Sequence, residues 1–211
     1  MREQASVQDR AEEVREHLVS IRGGAPFLSP EDSFLLLKWL EEGISVAAIA
    51  CAIERAAAKR RAARRRAALS LRDAKRHLKR YDSGKLRAKR SESTPMSAHP
   101  LESTIAALEH RDESTAQDLA ATLRALGQPD SDALGRAALA AIRRYHTARW
   151  EHLDEVSRAA LLADAAEELD YLRGMVSAPE LERLQEEVAR ETLRSAHPEL
   201  EASTIWEQLH A

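Results

Sequence analysis

Residues 28–45 read LSPEDSFLLLKWLEEGIS, a stretch that carries both the start and the stop signals of a helix. Ser29 is a natural N-cap. Pro30 suits the first helical position, where its missing N–H costs nothing, and Asp32 stands at the capping-box spacing. Phe34, Leu36, Leu37, Trp39 and Leu40 supply the apolar mass, and Gly43 permits the left-handed backbone that closes a helix. Ser45 is placed to cap a further helix beginning at Val46, with Val46, Ile49, Ile53 and Ala56 on its buried face. Upstream, Val7, Ala11, Val14, Leu18 and Ile21 share one face of a helix over Ser6 to Arg22, which Gly23-Gly24 ends.

Composition extends the helical reading to the whole chain. The 211 residues are rich in Ala, Leu, Glu and Arg but hold only two Phe, three Tyr and three Trp, with seven Gly and seven Pro. Such a chain is expected to be all-α, in one or two domains. Cys51 is the single cysteine, which excludes an intramolecular disulfide and a cysteine-based zinc cage. No run approaches the roughly 18 apolar residues of a membrane span, and the N-terminus lacks a signal-peptide core. A cytoplasmic protein without membrane association is expected.

Charge is strongly segregated. Residues 59–90, KRRAARRRAALSLRDAKRHLKRYDSGKLRAKR, hold fifteen Lys or Arg against Asp73 and Asp82, in a chain whose net charge is −3. At about 100° per residue, Arg60 and Arg64 fall on the same helical face as Ile49 and Ile53. Unpaired arginines are costly on a buried face, so packing of this helix should end near Ala57. Ser70 then caps another helix, with Asp73 three positions on. Leu71, Ala74, Leu78 and Tyr81 form its narrow apolar stripe, while Arg72, Lys75, Arg76, Lys79 and Arg80 occupy the other faces.

Residues 82–100, DSGKLRAKRSESTPMSAHP, read as a linker between a basic helical module over 1–81 and an acidic half over 101–211. In that half Ile105, Leu108, Leu119, Leu123 and Leu126 form a stripe weakened around Arg111-Asp112-Glu113. Further helices start near Asp130 or Asp132, at Ser177-Ala178-Pro179-Glu180 and at Pro198. An up-and-down helical bundle is expected there.

The order of parts LSPEDSFLLLKWLEEGI, a helix ending AIERAAAK, and SLRDAKRHLKRY resembles the DNA-binding helical module of DnaD-type primosomal replication proteins. The resemblance covers residues 26–81, about a quarter of the chain, and implies a small helical fold that binds DNA. That family carries Tyr-x-x-x-Ile-x-x-x-Trp on its last helix. The corresponding positions here are Asp73, His77 and Tyr81, so only the final aromatic is kept in kind.

Catalytic and metal-binding patterns are thin. His146 and His152 lie about 120° apart on a helix. Neither HExxH nor a pair of ExxH motifs is present, Glu207 and His210 forming one isolated ExxH, and no glycine-rich phosphate loop precedes a Lys-Ser/Thr signature. No enzymatic activity, metal or cofactor is expected.

The expected function is sequence-nonspecific nucleic-acid binding, with duplex DNA the expected form, through Lys59, Arg60, Arg61, Arg64, Arg65, Arg66, Arg72, Lys75, Arg76, Lys79 and Arg80. The acidic bundle would dimerise or recruit a protein partner. The alternative is a helical adaptor whose basic arm grips an acidic protein or its own acidic half.

Overall fold

Ser6 and Asp9 bond reciprocally, Ser6 N–H to Asp9 Oδ2 at 3.0 Å and Asp9 N–H to Ser6 Oγ at 3.1 Å, and so start α1 (Val7–Arg22). The computed structural model describes residues 6–22, 27–62, 69–78, 81, 99–126 and 131–210. Among them are ten α-helices, two 3₁₀ turns and no strand, an all-α chain. In α2 (Pro30–Glu41), Ser29 Oγ accepts the Asp32 N–H at 3.0 Å, Pro30 is the first residue, and Gly43 follows at φ 81°. Ser45 Oγ accepts the Ala48 N–H at 3.2 Å and opens α3 (Val46–Ala62). The Gly23-Gly24 stop and most of the 82–100 linker lie outside the described residues.

Helix α3 is the hub. All eight residues from Val46 to Ile53 are at most 4% exposed, so the first two turns of this helix are buried around their whole circumference rather than on one face. Cys51, which the helical wheel places opposite Ile49 and Ile53, is therefore buried as well. Alanine makes this arrangement workable, because small side chains let several helices approach one axis. Helices α1, α4 (Leu71–Leu78), α7 (Ser131–Glu151) and α10 (Ala202–His210) all pack on it. Gly135 of α7 serves the same close approach: a Cβ there would sit 3.0 Å from Leu209 Cδ1 and 3.5 Å from Ala47 Cβ.

Two of the apolar residues assigned to the α2 core are exposed. Phe34 and Leu37 face outward, while Leu36, Trp39 and Leu40 are buried. Three side chains suffice because α2 is covered on one side only.

The acidic half meets the basic one directly. Leu139, Ala202 and Trp206 belong to the same apolar cluster as α1 to α4. A second cluster joins α5 (Glu102–Glu109), α6 (Ser114–Ala125), α7 and α10. Helix α10 serves both, with Ala202 and Trp206 on one face and Ile205 and Leu209 on the other. Between α7 and α10 the chain makes a hairpin of α8 (Glu155–Glu168) and α9 (Ala178–Ser195), turned through Gly174 at φ 77°. The fourth helix around the second core is thus α10 rather than the next one in sequence.

Candidate nucleic-acid interface and the adjoining cleft

Helix α4 has only eight residues and would be marginal alone. Its stripe holds it: Leu71, Ala74, Leu78 and Tyr81 are all buried, and Tyr81 meets Trp206 edge to face at 5.5 Å between centroids. Its N-terminus is held by α2, since Asp32 Oδ1 accepts the Leu71 N–H at 3.0 Å. The Asp32 carboxylate therefore serves a remote helix, not Ser29 as the capping-box spacing suggests.

Arg60 departs from expectation for a related reason. It is buried, and its Nη1 donates to Asp73 Oδ2 at 2.9 Å. Packing of α3 consequently runs a turn past Ala57, because α4 supplies the carboxylate that makes a buried arginine tolerable. Arg60 belongs to the fold and leaves the set of outward-facing cations.

Lys59, Arg72, Lys75 and Arg76 are exposed as a binding role requires. Arg72 makes one exposed ion pair with Glu31 at 3.4 Å. Arg61 lies in α3, and its side chain is outside the described residues, as are Arg64, Arg65, Arg66, Lys79 and Arg80 entirely. Arg55, one turn before Lys59, is exposed on the same side and was missed because it precedes the basic run. Its i, i+4 relation to Lys59 is the signal that would have found it. Among the described residues neither Arg55 nor Lys59 has an ion-pair partner. Half-buried His77 lies within their field: burial first, then Lys59, Arg55 and Arg76, hold its pKa below the ordinary value.

Beside this surface the two halves enclose a cleft of about 550 Å³ between α3–α4 and α9–α10. Its floor is a buried polar network that no local pattern foretold, because its members come from separate segments of the chain. Glu54 Oε2 accepts the Ala202 N–H at 2.6 Å, and Oε1 accepts from Arg194 Nη2 at 3.1 Å. His17 Nε2 lies 3.3 Å from the same Oε1, off hydrogen-bond alignment. Burial would raise the Glu54 pKa, but His17, Arg194 and the Ala202 amide outweigh it and hold the carboxyl below its usual range.

The imidazoles of the network are neutral. Burial foremost lowers His17, His197 and His146, the last to about 2, with Arg194 adding its repulsion to His146. His197 is fixed between Glu199 Oε1 at 3.1 Å and the Tyr145 hydroxyl at 3.2 Å. Burial also pushes Tyr145 up to about 12 and the Cys51 thiol well above its ordinary value.

His146 is buried and His152 exposed, so the pair is not brought together. Among the described residues no group of three or more His, Cys, Asp or Glu is placed to hold a metal ion, and no helix is long and apolar enough to cross a membrane. No family model, curated protein or solved structure matches this chain, so its chemistry rests on these contacts alone.

Proposed function

We propose that the protein binds nucleic acid without sequence preference, through the cations that α3 and α4 present to solvent, and that this surface performs no chemistry. The observation that carries the reading is the division of α4. Its apolar stripe is fully seated, while Arg72, Lys75 and Arg76 stand outward beside Arg55 and Lys59. A rigid cluster of five exposed cations suits a phosphate backbone, where neutralising each phosphate releases counterions. The resemblance of residues 26–81 to the DnaD-type module points the same way. Duplex DNA fits the surface better than single strands, since the aromatic platforms that single strands stack on are missing among the described exposed residues of α3 and α4.

Among the described residues, the ion pairs between the halves take their cations from the acidic half. Arg136, Arg143 and Arg194 of the acidic half reach Glu13, Glu16 and Glu54 of the basic half. Lys75 and Arg76 take no part in these pairs and stay exposed.

Reversing Arg72, Lys75 and Arg76 together to Glu should test the assignment. These side chains are exposed, so helix content should hold, while affinity for random duplex falls for every sequence tested. The dependence of log K on log salt should flatten by up to about 3, at about 0.9 for each phosphate that is no longer neutralised. Unchanged affinity in fluorescence anisotropy would remove α4 from the interface.

A further inference from the structure

Both phenylalanines of the chain stand in solvent, Phe27 at 77% and Phe34 at 73% exposure, with Leu37 at 41%. Phe34 and Leu37 are neighbours on α2, three residues apart, and exposed Pro30 adjoins them on the same face. The helix packs on α1 and α4 with its other sides. Adjoining large apolar side chains left outside a well-filled core mark a surface made to be covered.

The charges around this patch fit a second copy of the same patch. At about 100° and 1.5 Å per residue, Glu31 and Lys38 flank Phe34 on one edge of the face, about 4.5 Å before it and about 6 Å after it. Leu37 lies on the other edge. Two copies of α2 crossing antiparallel, about a two-fold axis near Phe34, keep each edge against itself and reverse its direction. Glu31 of one copy then meets the partner's Lys38, and the reverse pair forms with it. Both Phe34 rings lie near the axis, and Leu37 falls between the partner's Phe34 and the partner's Pro30. Glu41 lies near the middle of the face, about 10.5 Å beyond Phe34, so its two copies stand about 20 Å apart at opposite ends of the crossing. A parallel crossing would set them side by side. Within one copy Glu31 meets Arg72 at 3.4 Å and Lys38 meets Glu42 at 3.8 Å. All four side chains are exposed, and pairs of this kind are weak enough to be shared or exchanged.

We propose that the exposed face of α2 is the interface of an antiparallel homodimer, built on Phe34 and Leu37 and held in register by Glu31 and Lys38. One patch carries both the apolar surface and the two opposite charges that a self-complementary contact needs, which favours a second copy over a different protein. The patch is small, so the dimer is weak and depends on concentration. Its symmetry has a consequence for α4. Asp32 and Glu31 hold α4 on the Glu31 edge of α2, through the Leu71 N–H at 3.0 Å and Arg72 at 3.4 Å. The axis keeps that edge on one side of the dimer, so both sets of Arg72, Lys75 and Arg76 face the same way and can share one duplex. That consequence rests on the nucleic-acid reading; the dimer itself does not.

Sedimentation velocity on the full chain, without nucleic acid, should show monomer giving way to dimer between about 1 and 500 µM. Phe34→Ser should raise the dissociation constant at least about tenfold, with the circular dichroism spectrum unchanged because the side chain is exposed. Glu31→Lys and Lys38→Glu should each weaken the dimer by setting like charges against each other. The double variant should recover most of that loss, a signature of the antiparallel register that a merely sticky patch would not give. A chain that stays monomeric throughout overturns the proposal and leaves the patch to a different protein. A dimer indifferent to Phe34→Ser overturns it too, as does a double variant no tighter than the single ones. None of these outcomes depends on whether duplex DNA binds.

Discussion

Glu54→Ala is expected to lower stability by about 3–5 kcal/mol, the usual cost of removing one partner from a buried ion pair. The substitution leaves the Ala202 N–H and Arg194 Nη2 without their acceptor, and His17 without its neighbour. These groups belong to α1, α9 and the start of α10, so the damage falls on the packing between the two halves. Urea denaturation followed by circular dichroism should show the midpoint move down, and limited proteolysis should find α10 released first. Glu54→Leu should cost less than Glu54→Ala, because it refills the space. A loss below about 1 kcal/mol for Glu54→Ala would mean that the network is solvated and does not join the halves.

Acid is expected to act on the same region. In the unfolded chain His17, His146 and His197 take up protons near the ordinary value of 6.5, whereas burial lowers all three in the folded state. Below about pH 6.5 the unfolded state therefore binds more protons, and stability falls by up to about 1.4 kcal/mol per pH unit for each imidazole. For His146 the fall continues until its folded value of about 2. Glu54 contributes stability above the ordinary carboxylate range and loses it as pH falls through its depressed value, which deepens the effect at lower pH. Glu187 works in the opposite direction. Burial raises it to about 7, so protonation between there and its ordinary 4.5 favours the folded state. With His77, whose pKa is likewise held down, four imidazoles against one carboxyl leave a net loss. Urea midpoints should drop between about pH 7.5 and about pH 5.5, and His146→Leu should flatten the slope, since it removes a titrating group whose Nδ1 has no partner. A midpoint independent of pH in this window would place these histidines in contact with water.

The parts legible in the sequence were those whose cause is local. The Ser29-Pro30 start and Gly43 stop of α2 needed only neighbouring residues, and so did the stripe from Leu71 to Tyr81. Trp39 was equally readable, as a large apolar side chain on a capped helix. What escaped was set by distant partners. Arg60 looked too costly to bury because Asp73 lies thirteen residues away on another helix. Burial of α3 on every side from Val46 to Ile53 was hidden by its alanines, which carry little apolar signal on a helical wheel. Phe34 and Leu37 counted as core because hydrophobicity alone does not say how many sides of a helix are covered. The Glu54 network draws on α1, α3, α7, α9 and the turn into α10, and no spacing within one of them announces it.

The fold also bears on how the basic surface can be studied. Trp206 of α10 packs against Tyr81 at the end of the α4 stripe, and Leu139 and Ala202 complete the α3 core. A fragment without the acidic half would uncover those residues, so binding is best measured on the full chain.

The most direct measurement is the affinity of the full chain for several unrelated duplexes between about 50 and 200 mM salt, with fold monitored throughout. Exposed Arg55, Lys59, Arg72, Lys75 and Arg76 predict saturable binding that is equal across sequences, with log K falling against log salt at a slope of about −3 to −5. Failure to bind at low salt, or an affinity indifferent to salt, would contradict a phosphate-binding role for this surface.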